Sequence, residues 1–201
     1  MAKHFLFLEL RDNHVCFLLL RLREIFTGKQ SKTNIHITVR GPYVDAPTNI
    51  EISRWTDLIK NDRLRIAGVG SFQNGDNHIV YVAVNSRNLR EIWWKPDYSI
   101  KKYKFNPHIS LYDGEDAELA LLIKEFLENE NLDIECTAFE LTPYVSQSLQ
   151  HSLLVNAERA YQKHFSLLVL KSKVKGDILE RAQKLISDYQ SVSSRKNRQN
   201  N

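Results

Sequence analysis

NIHITVRGPY at 34–43 and NPHISLYDG at 106–114 are the two stretches that decide how this chain folds. Each holds a histidine, an apolar residue, a hydroxyl residue and a second apolar residue: His36-Ile37-Thr38-Val39 and His108-Ile109-Ser110-Leu111. Strict alternation of this kind is the pattern of a half-buried strand. Successive side chains of a strand leave opposite faces, so each imidazole shares a face with the hydroxyl two residues on, roughly 6.5–7 Å along the strand. Ile37 and Ile109 then point into the core.

Working outward from the first stretch, His4–Leu10 reads as a short strand rich in Phe and Leu. Asp12 or Asn13 offers an N-cap, and Val15, Leu18, Leu19, Leu22, Ile25 and Phe26 follow at helical spacing until Gly28. Asn34–Arg40 is the motif strand, which Gly41-Pro42 is expected to end. The pattern over Ile50–Asp62 fits neither period. Arg63–Phe72 and His78–Val84 alternate β-branched residues around QNGDN at 73–77, which carries hairpin turn chemistry. Leu89–Trp94 suits a short helix before Pro96.

Around the second stretch, Phe105–Tyr112 is a strand with His108, Ser110 and Tyr112 on one face. Glu115, Asp116 and Glu118 suit a helix N-terminus, where the macrodipole favours anions, and Leu119, Leu122, Ile123 and Phe126 form that helix's apolar stripe. Leu132–Leu141 and Phe165–Leu170 read as strands, residues 142–163 give no pattern, and a last amphipathic helix follows Asp177 through Ile178, Ala182, Leu185, Ile186 and Tyr189. Strand, helix and strands in each half predict an α+β fold. Two pseudo-symmetric lobes of antiparallel sheet would carry helices outside and a cleft between them. Residues 1–190 form this single bilobal unit, and SVSSRKNRQNN at 191–201 reads as a polar, disordered tail.

Bulk properties narrow the function classes. Removing Arg195, Lys196 and Arg198 of the tail from the net charge of +4 leaves +1, so overall basicity is weak evidence for a polyanion partner. Cys16 and Cys136 are 120 residues apart in apolar surroundings and outside any metal-ligand spacing, so both are expected to be reduced and buried. The opening apolar run is too short for a secretory signal, and no 18-residue apolar stretch exists. The expectation is a cytoplasmic protein with no membrane contact, acting as a monomer. No GxGxxG follows a strand, which disfavours a dinucleotide fold.

Two imidazoles with two hydroxyls around one pocket suit in-line displacement at phosphorus. A neutral histidine takes a proton from the attacking oxygen, and a protonated one supplies the leaving oxygen. The hydroxyls donate to non-bridging phosphate oxygens. HExxH, paired aspartates and cysteine clusters are missing, so neither a metal nor another cofactor is called for. Which histidine is acid and which is base stays open at this level.

HITV and HISL, 72 residues apart, together with the Gly41-Pro42-Tyr43 turn, resemble the paired motifs of the two-histidine (2H) phosphoesterase superfamily over residues 4–190. That superfamily includes 2′-5′ RNA ligase-like proteins, cyclic phosphodiesterases and 2′,5′-oligoadenylate phosphodiesterases. The resemblance implies catalysis by His36 and His108, phosphate contacts from Thr38 and Ser110, and a nucleotide or RNA substrate. It implies hydrolysis of 2′,3′-cyclic phosphate ends, 2′-5′ linkages or cyclic oligonucleotides, with 2′-5′ ligation as the reverse reaction. Tyr43 and Tyr112 are candidates for base stacking, with packing as the competing role. Lys95, Lys101, Lys102 and Lys104, interleaved with Tyr98 and Tyr103, could track a single strand or form a solvated loop. His4, His14, His78, His151 and His164 are read as structural or surface residues. The alternative is a non-catalytic nucleotide-binding module; binding alone would not need both imidazoles.

Overall fold

The computed structural model describes residues 3–94, 104–146, 172–173 and 175–199. Strand β1 (Lys3–Leu10) turns Leu6, Leu8 and Leu10 into the core. Helix α1 (Asn13–Thr27) starts where the Asp12 carboxylate accepts from the amides of His14 and Val15, and it stops at Gly28, whose φ of 64° suits a residue with no Cβ. Its buried stripe is Val15, Cys16, Leu18, Leu19, Leu22 and Phe26. Truncating any of these leucines to alanine leaves a cavity worth about 2–5 kcal/mol.

β2 (His36–Tyr43) runs through Gly41-Pro42, a cis peptide, where a stop was expected. The strand survives because its free edge is met by Trp94, which donates to Val39 O at 2.8 Å and accepts from Gly41 N at 3.2 Å. α2 (Asn49–Ile59) fills the stretch without a clear period, opened by a capping box in which Thr48 and Glu51 satisfy each other's backbone amides. β3 (Leu64–Asn74) and β4 (Asn77–Asn85) form the expected hairpin around Gly75-Asp76. α3 (Leu89–Ile92) is one short turn, and β5 (His108–Gly114) carries the second motif.

α4 (Ala117–Glu130) starts at the acidic run, as expected, and Asp116 of that run caps it by accepting from Leu119 N. Leu132–Leu141, expected to be one strand, is two: β6 (Asp133–Cys136) and β7 (Phe139–Ser146). They belong to different sheets, and the chain crosses between them at Thr137-Ala138, where Ala138 O accepts from Arg11 N at 2.7 Å. β8 (Ser172–Lys173) and α5 (Ile178–Gln199) are the last of the described elements. α5 continues past 190, where the polar tail was expected to begin. The strand expected at Phe165–Leu170 lies outside the described residues.

The result is an α+β fold with two antiparallel sheets, ordered β2-β1-β7 and β5-β4-β3-β6-β8, and helices packed outside them. One apolar core joins both, with Ile37 and Val39 of β2, Ile109 and Leu111 of β5 and the α1 stripe in contact. Among the described residues β2 and β5 are each the edge strand of their sheet, and they touch each other. Among the described residues no helix is long and apolar enough to cross a membrane.

Candidate active site

The two motif strands repeat more than four residues. His36 and His108 are both half-buried, and the apolar residue after each is fully buried, as alternation requires. The Nδ1 of His36 lies 2.8 Å from Asn34 O, and the Nδ1 of His108 lies 2.7 Å from Asn106 O. A carbonyl can only accept, so each Nδ1 carries the proton, and exchange with a substrate is left to Nε2. Both carbonyls belong to an asparagine two residues upstream, whose side chain is tied to the neighbouring strand. Asn34 Nδ2 donates to Glu9 Oε2 at 3.2 Å, and Asn106 Nδ2 donates to the Tyr81 hydroxyl at 3.0 Å.

An aromatic ring lies directly across from each motif hydroxyl. Phe7 of β1 pairs with Thr38, and Tyr81 of β4 pairs with Ser110. Phe7 stacks on the His36 ring at 4.0 Å and 17°, and it is stacked in turn by Tyr144 at 4.7 Å. Tyr81 sits 4.7 Å from the His108 ring, with Phe72 edge-on to the same imidazole at 5.5 Å. Tyr81 reaches this place by crossing Gly70, where a Cβ would stand 2.3 Å from the tyrosine oxygen. Both strands then bulge at the fourth motif residue. Val39 is the extra residue between the Thr38–Phe7 and Arg40–Leu6 pairs, and Leu111 is the extra residue between the Ser110–Tyr81 and Tyr112–Val80 pairs. A bulge re-aims the side chains that follow it.

The Leu111 bulge and the length of β2 correct the two expected stacking residues. Leu111 takes up a position without a partner, so Tyr112 turns to the core side. It is 5% exposed, with its hydroxyl 3.4 Å from Asp116 O, and cannot stack on a ligand. Tyr43 pairs with His4 while His36 pairs with Glu9, so the two stand at opposite ends of β2, on the order of 20 Å apart. Tyr43 instead stacks on Trp94 at 5.2 Å and takes a hydrogen bond from Arg40 Nε. Lys95, Lys101, Lys102, Tyr98 and Tyr103 lie outside the described residues, while Lys104 is exposed beside the second motif strand.

Sequence reasoning missed Asn34, Asn106, Tyr81, Phe72 and Arg23. The asparagines were visible as Asn-x-His in both stretches; the rest come from other strands and a helix, and no local pattern marks them. Arg23 sits on α1 and donates through Nε to Ser110 O at 3.0 Å. Its Nη1 lies 3.3 Å from Ser31 Oγ and 3.5 Å from Thr33 Oγ1, in the segment leading into β2.

Electrostatics separate His36 from an ordinary histidine. Burial is the main force that pushes it from 6.5 down to about 4, and the positive charges of Arg23 and His108 add to it, against the opposing bond to Asn34 O. His36 is therefore neutral at physiological pH. Cys16 and Cys136 are free and buried, and burial raises both thiols, to about 12 and about 11. Protonated thiols in a core are inert packing groups. Among the described residues no three His, Cys, Asp or Glu side chains converge as metal ligands. Compared with known protein families, curated proteins and solved structures, the chain matches none.

Proposed function

We propose that this chain is a two-histidine phosphoesterase that acts on ribose phosphodiesters, with His36 as general base and His108 as general acid in hydrolysis. The observation that carries the reading is the doubled local structure on two touching edge strands. Each has an imidazole held through Nδ1 by an asparagine carbonyl, a hydroxyl two residues on, an aromatic ring across from that hydroxyl, and a bulge next in line. A histidine that only packs needs none of these.

The neutral Nε2 of His36 accepts a proton from water as the water oxygen attacks phosphorus. The bond from phosphorus to the leaving ribose oxygen breaks, and Nε2–H of His108 delivers a proton to that oxygen. Burial favours the neutral His36 that this step starts from. Thr38 and Ser110 donate to the non-bridging oxygens as charge builds there. With a ribose hydroxyl in the place of water, the same groups perform ligation: His36 takes the hydroxyl proton as that oxygen attacks a cyclic phosphate, and His108 protonates the ring oxygen that leaves. No step draws on a metal ion or another cofactor.

His36→Ala and His108→Ala should each lower turnover of 2′,3′-cyclic nucleotides and 2′-5′ dinucleotides roughly 10²–10⁴-fold, measured with EDTA present. The double variant should be no worse than about the poorer single one, because the two act as a unit. Near wild-type turnover in either single variant would leave a nucleotide-binding module as the better account.

A further inference from the structure

Each motif imidazole is steered by a carbonyl that lies just outside the strand carrying it. Asn34 precedes β2, one residue beyond the bond from Leu10 N to Ile35 O at 3.0 Å. Asn106 precedes β5 in the same way, one residue beyond the bond from Val84 N to Pro107 O at 2.9 Å. The strand pairing stops short of both asparagines, so the direction of each carbonyl depends on how the asparagine side chain is anchored. In the second arm the anchor is the neutral Tyr81 hydroxyl; in the first it is the carboxylate of Glu9.

Glu9 lies on β1 directly across from His36, and its side chain is only 12% exposed. A carboxylate so far from water needs partners. One oxygen, Oε2, takes both of them: Arg11 Nη2 at 2.9 Å and Asn34 Nδ2 at 3.2 Å. Arg11 also has a second carboxylate within reach, because Glu140 on β7 accepts from its Nε at 3.0 Å and is 64% exposed. Pairing Arg11 therefore does not require an acid in the nearly closed place beside the motif. Among the described residues, the bond that Glu9 alone supplies is the one to Asn34.

We propose that Glu9 is the positioning residue for His36: through the Asn34 amide it holds the carbonyl that keeps the ring proton on Nδ1, and so keeps Nε2 free to exchange a proton with substrate. Arg11 holds Glu9 in place, and Asn34 passes the constraint to the imidazole. The second bond a histidine makes decides which of its nitrogens is left for chemistry. Without the anchor, the Asn34 carbonyl turns away, and the ring can carry its proton on Nε2, where it cannot accept another. The inference rests on the phosphoesterase reading for its catalytic meaning, whereas the tautomer itself is a property of the unliganded protein.

The test reads the ring nitrogens of the ligand-free protein by NMR, at a pH well above the histidine range so that the rings are neutral. His36→Asn identifies the His36 signals. In wild type both motif histidines should carry the proton on Nδ1. Glu9→Ala should move His36 to a mixture rich in Nε2–H, leave His108 as it was, and lower kcat roughly 10–100-fold. Glu9→Gln should restore the Nδ1–H signal and much of the turnover, because an amide oxygen can accept both bonds that Oε2 takes. If Glu9→Ala does not fold, Asn34→Ala carries the same expectation, since it removes the anchor and retains the backbone carbonyl. A Glu9→Ala or Asn34→Ala protein that melts lower while His36 stays Nδ1–H would overturn the assignment and leave Glu9 a packing residue. A chain that shows the tautomer change yet turns over no ribose phosphodiester would remove the phosphoesterase reading and leave this one standing.

Discussion

Gly70→Ala offers a direct test of how His108 is held, because the added methyl would stand far from His108 in sequence and touch it only through Tyr81. A Cβ at position 70 would lie 2.3 Å from the Tyr81 oxygen, 2.4 Å from Cζ and 2.9 Å from Cε2. Ordinary contacts between such atoms are about 3.5 Å or more, so the ring must withdraw by roughly 1 Å. Its hydroxyl holds Asn106 Nδ2 at 3.0 Å, its face supports the His108 imidazole at 4.7 Å, and Asn106 O takes the imidazole proton at 2.7 Å. The ring cannot move without loosening both supports. Inserting a methyl into a packed layer costs about 1–3 kcal/mol, and a reacting group displaced by about 1 Å loses on the order of 10²-fold in rate. We therefore expect a melting temperature lower by roughly 2–4 °C per kcal/mol, together with a fall in kcat. Gly176→Ala is the control, since a Cβ there meets nothing within 4 Å. Calorimetry and steady-state turnover decide the matter. A Gly70→Ala protein that melts lower but turns over normally would refute the claim that Tyr81 and Asn106 position His108.

Three further outcomes follow from the same structure. His36 has a folded-state value of about 4 against an ordinary 6.5, so its contribution to stability is complete above 6.5 and is lost as pH falls toward 4. Denaturant melts of wild type and His36→Asn should diverge only across that window, and parallel curves there would contradict the burial argument. Phe72 is 39% exposed and edge-on to His108, so Phe72→Ala should raise KM for nucleotides by stacking lost at roughly 1–3 kcal/mol, whereas Tyr43→Ala should leave KM unchanged. The reverse ranking would restore Tyr43 to the substrate path. Arg181 grips Glu130 through Nε at 2.9 Å and Nη2 at 2.5 Å, and Glu130 is 6% exposed; Arg181→Ala should cost roughly 3 kcal/mol in chemical denaturation, and a loss below about 1 would show that water reaches the carboxylate.

Much of the fold was legible because its signals are local. Alternation marked the motif strands and the hairpin, 3.6-residue periodicity marked α1, α4 and α5, and Asp12, Gly28 and Asp116 marked three helix ends where a side chain or a positive φ satisfies the backbone. Thr48-x-x-Glu51 was an equally local sign of α2, hidden because that helix buries only Ile59 and so lacks a clear stripe. The paired His-x-Ser/Thr stretches placed each imidazole and its hydroxyl on one face from sequence alone, since the two-residue period of a strand needs no partner.

What tertiary structure decided is everything that requires a neighbour. The bulges at Val39 and Leu111 depend on register against β1 and β4; the one at Leu111 sent Tyr112 into the core, while Tyr43, at the far end of β2 from His36, lies against Trp94. The split of Leu132–Leu141 between two sheets depends on which strand edges stood open. Tyr81 reaches His108 across 27 positions of sequence and Arg23 reaches Ser110 O across 87, through a ring crossing a glycine and a helix packed on a motif strand. Burial, which takes water away from His36, is likewise a property of the packed whole; composition contains the imidazole, but only the fold sets its proton affinity.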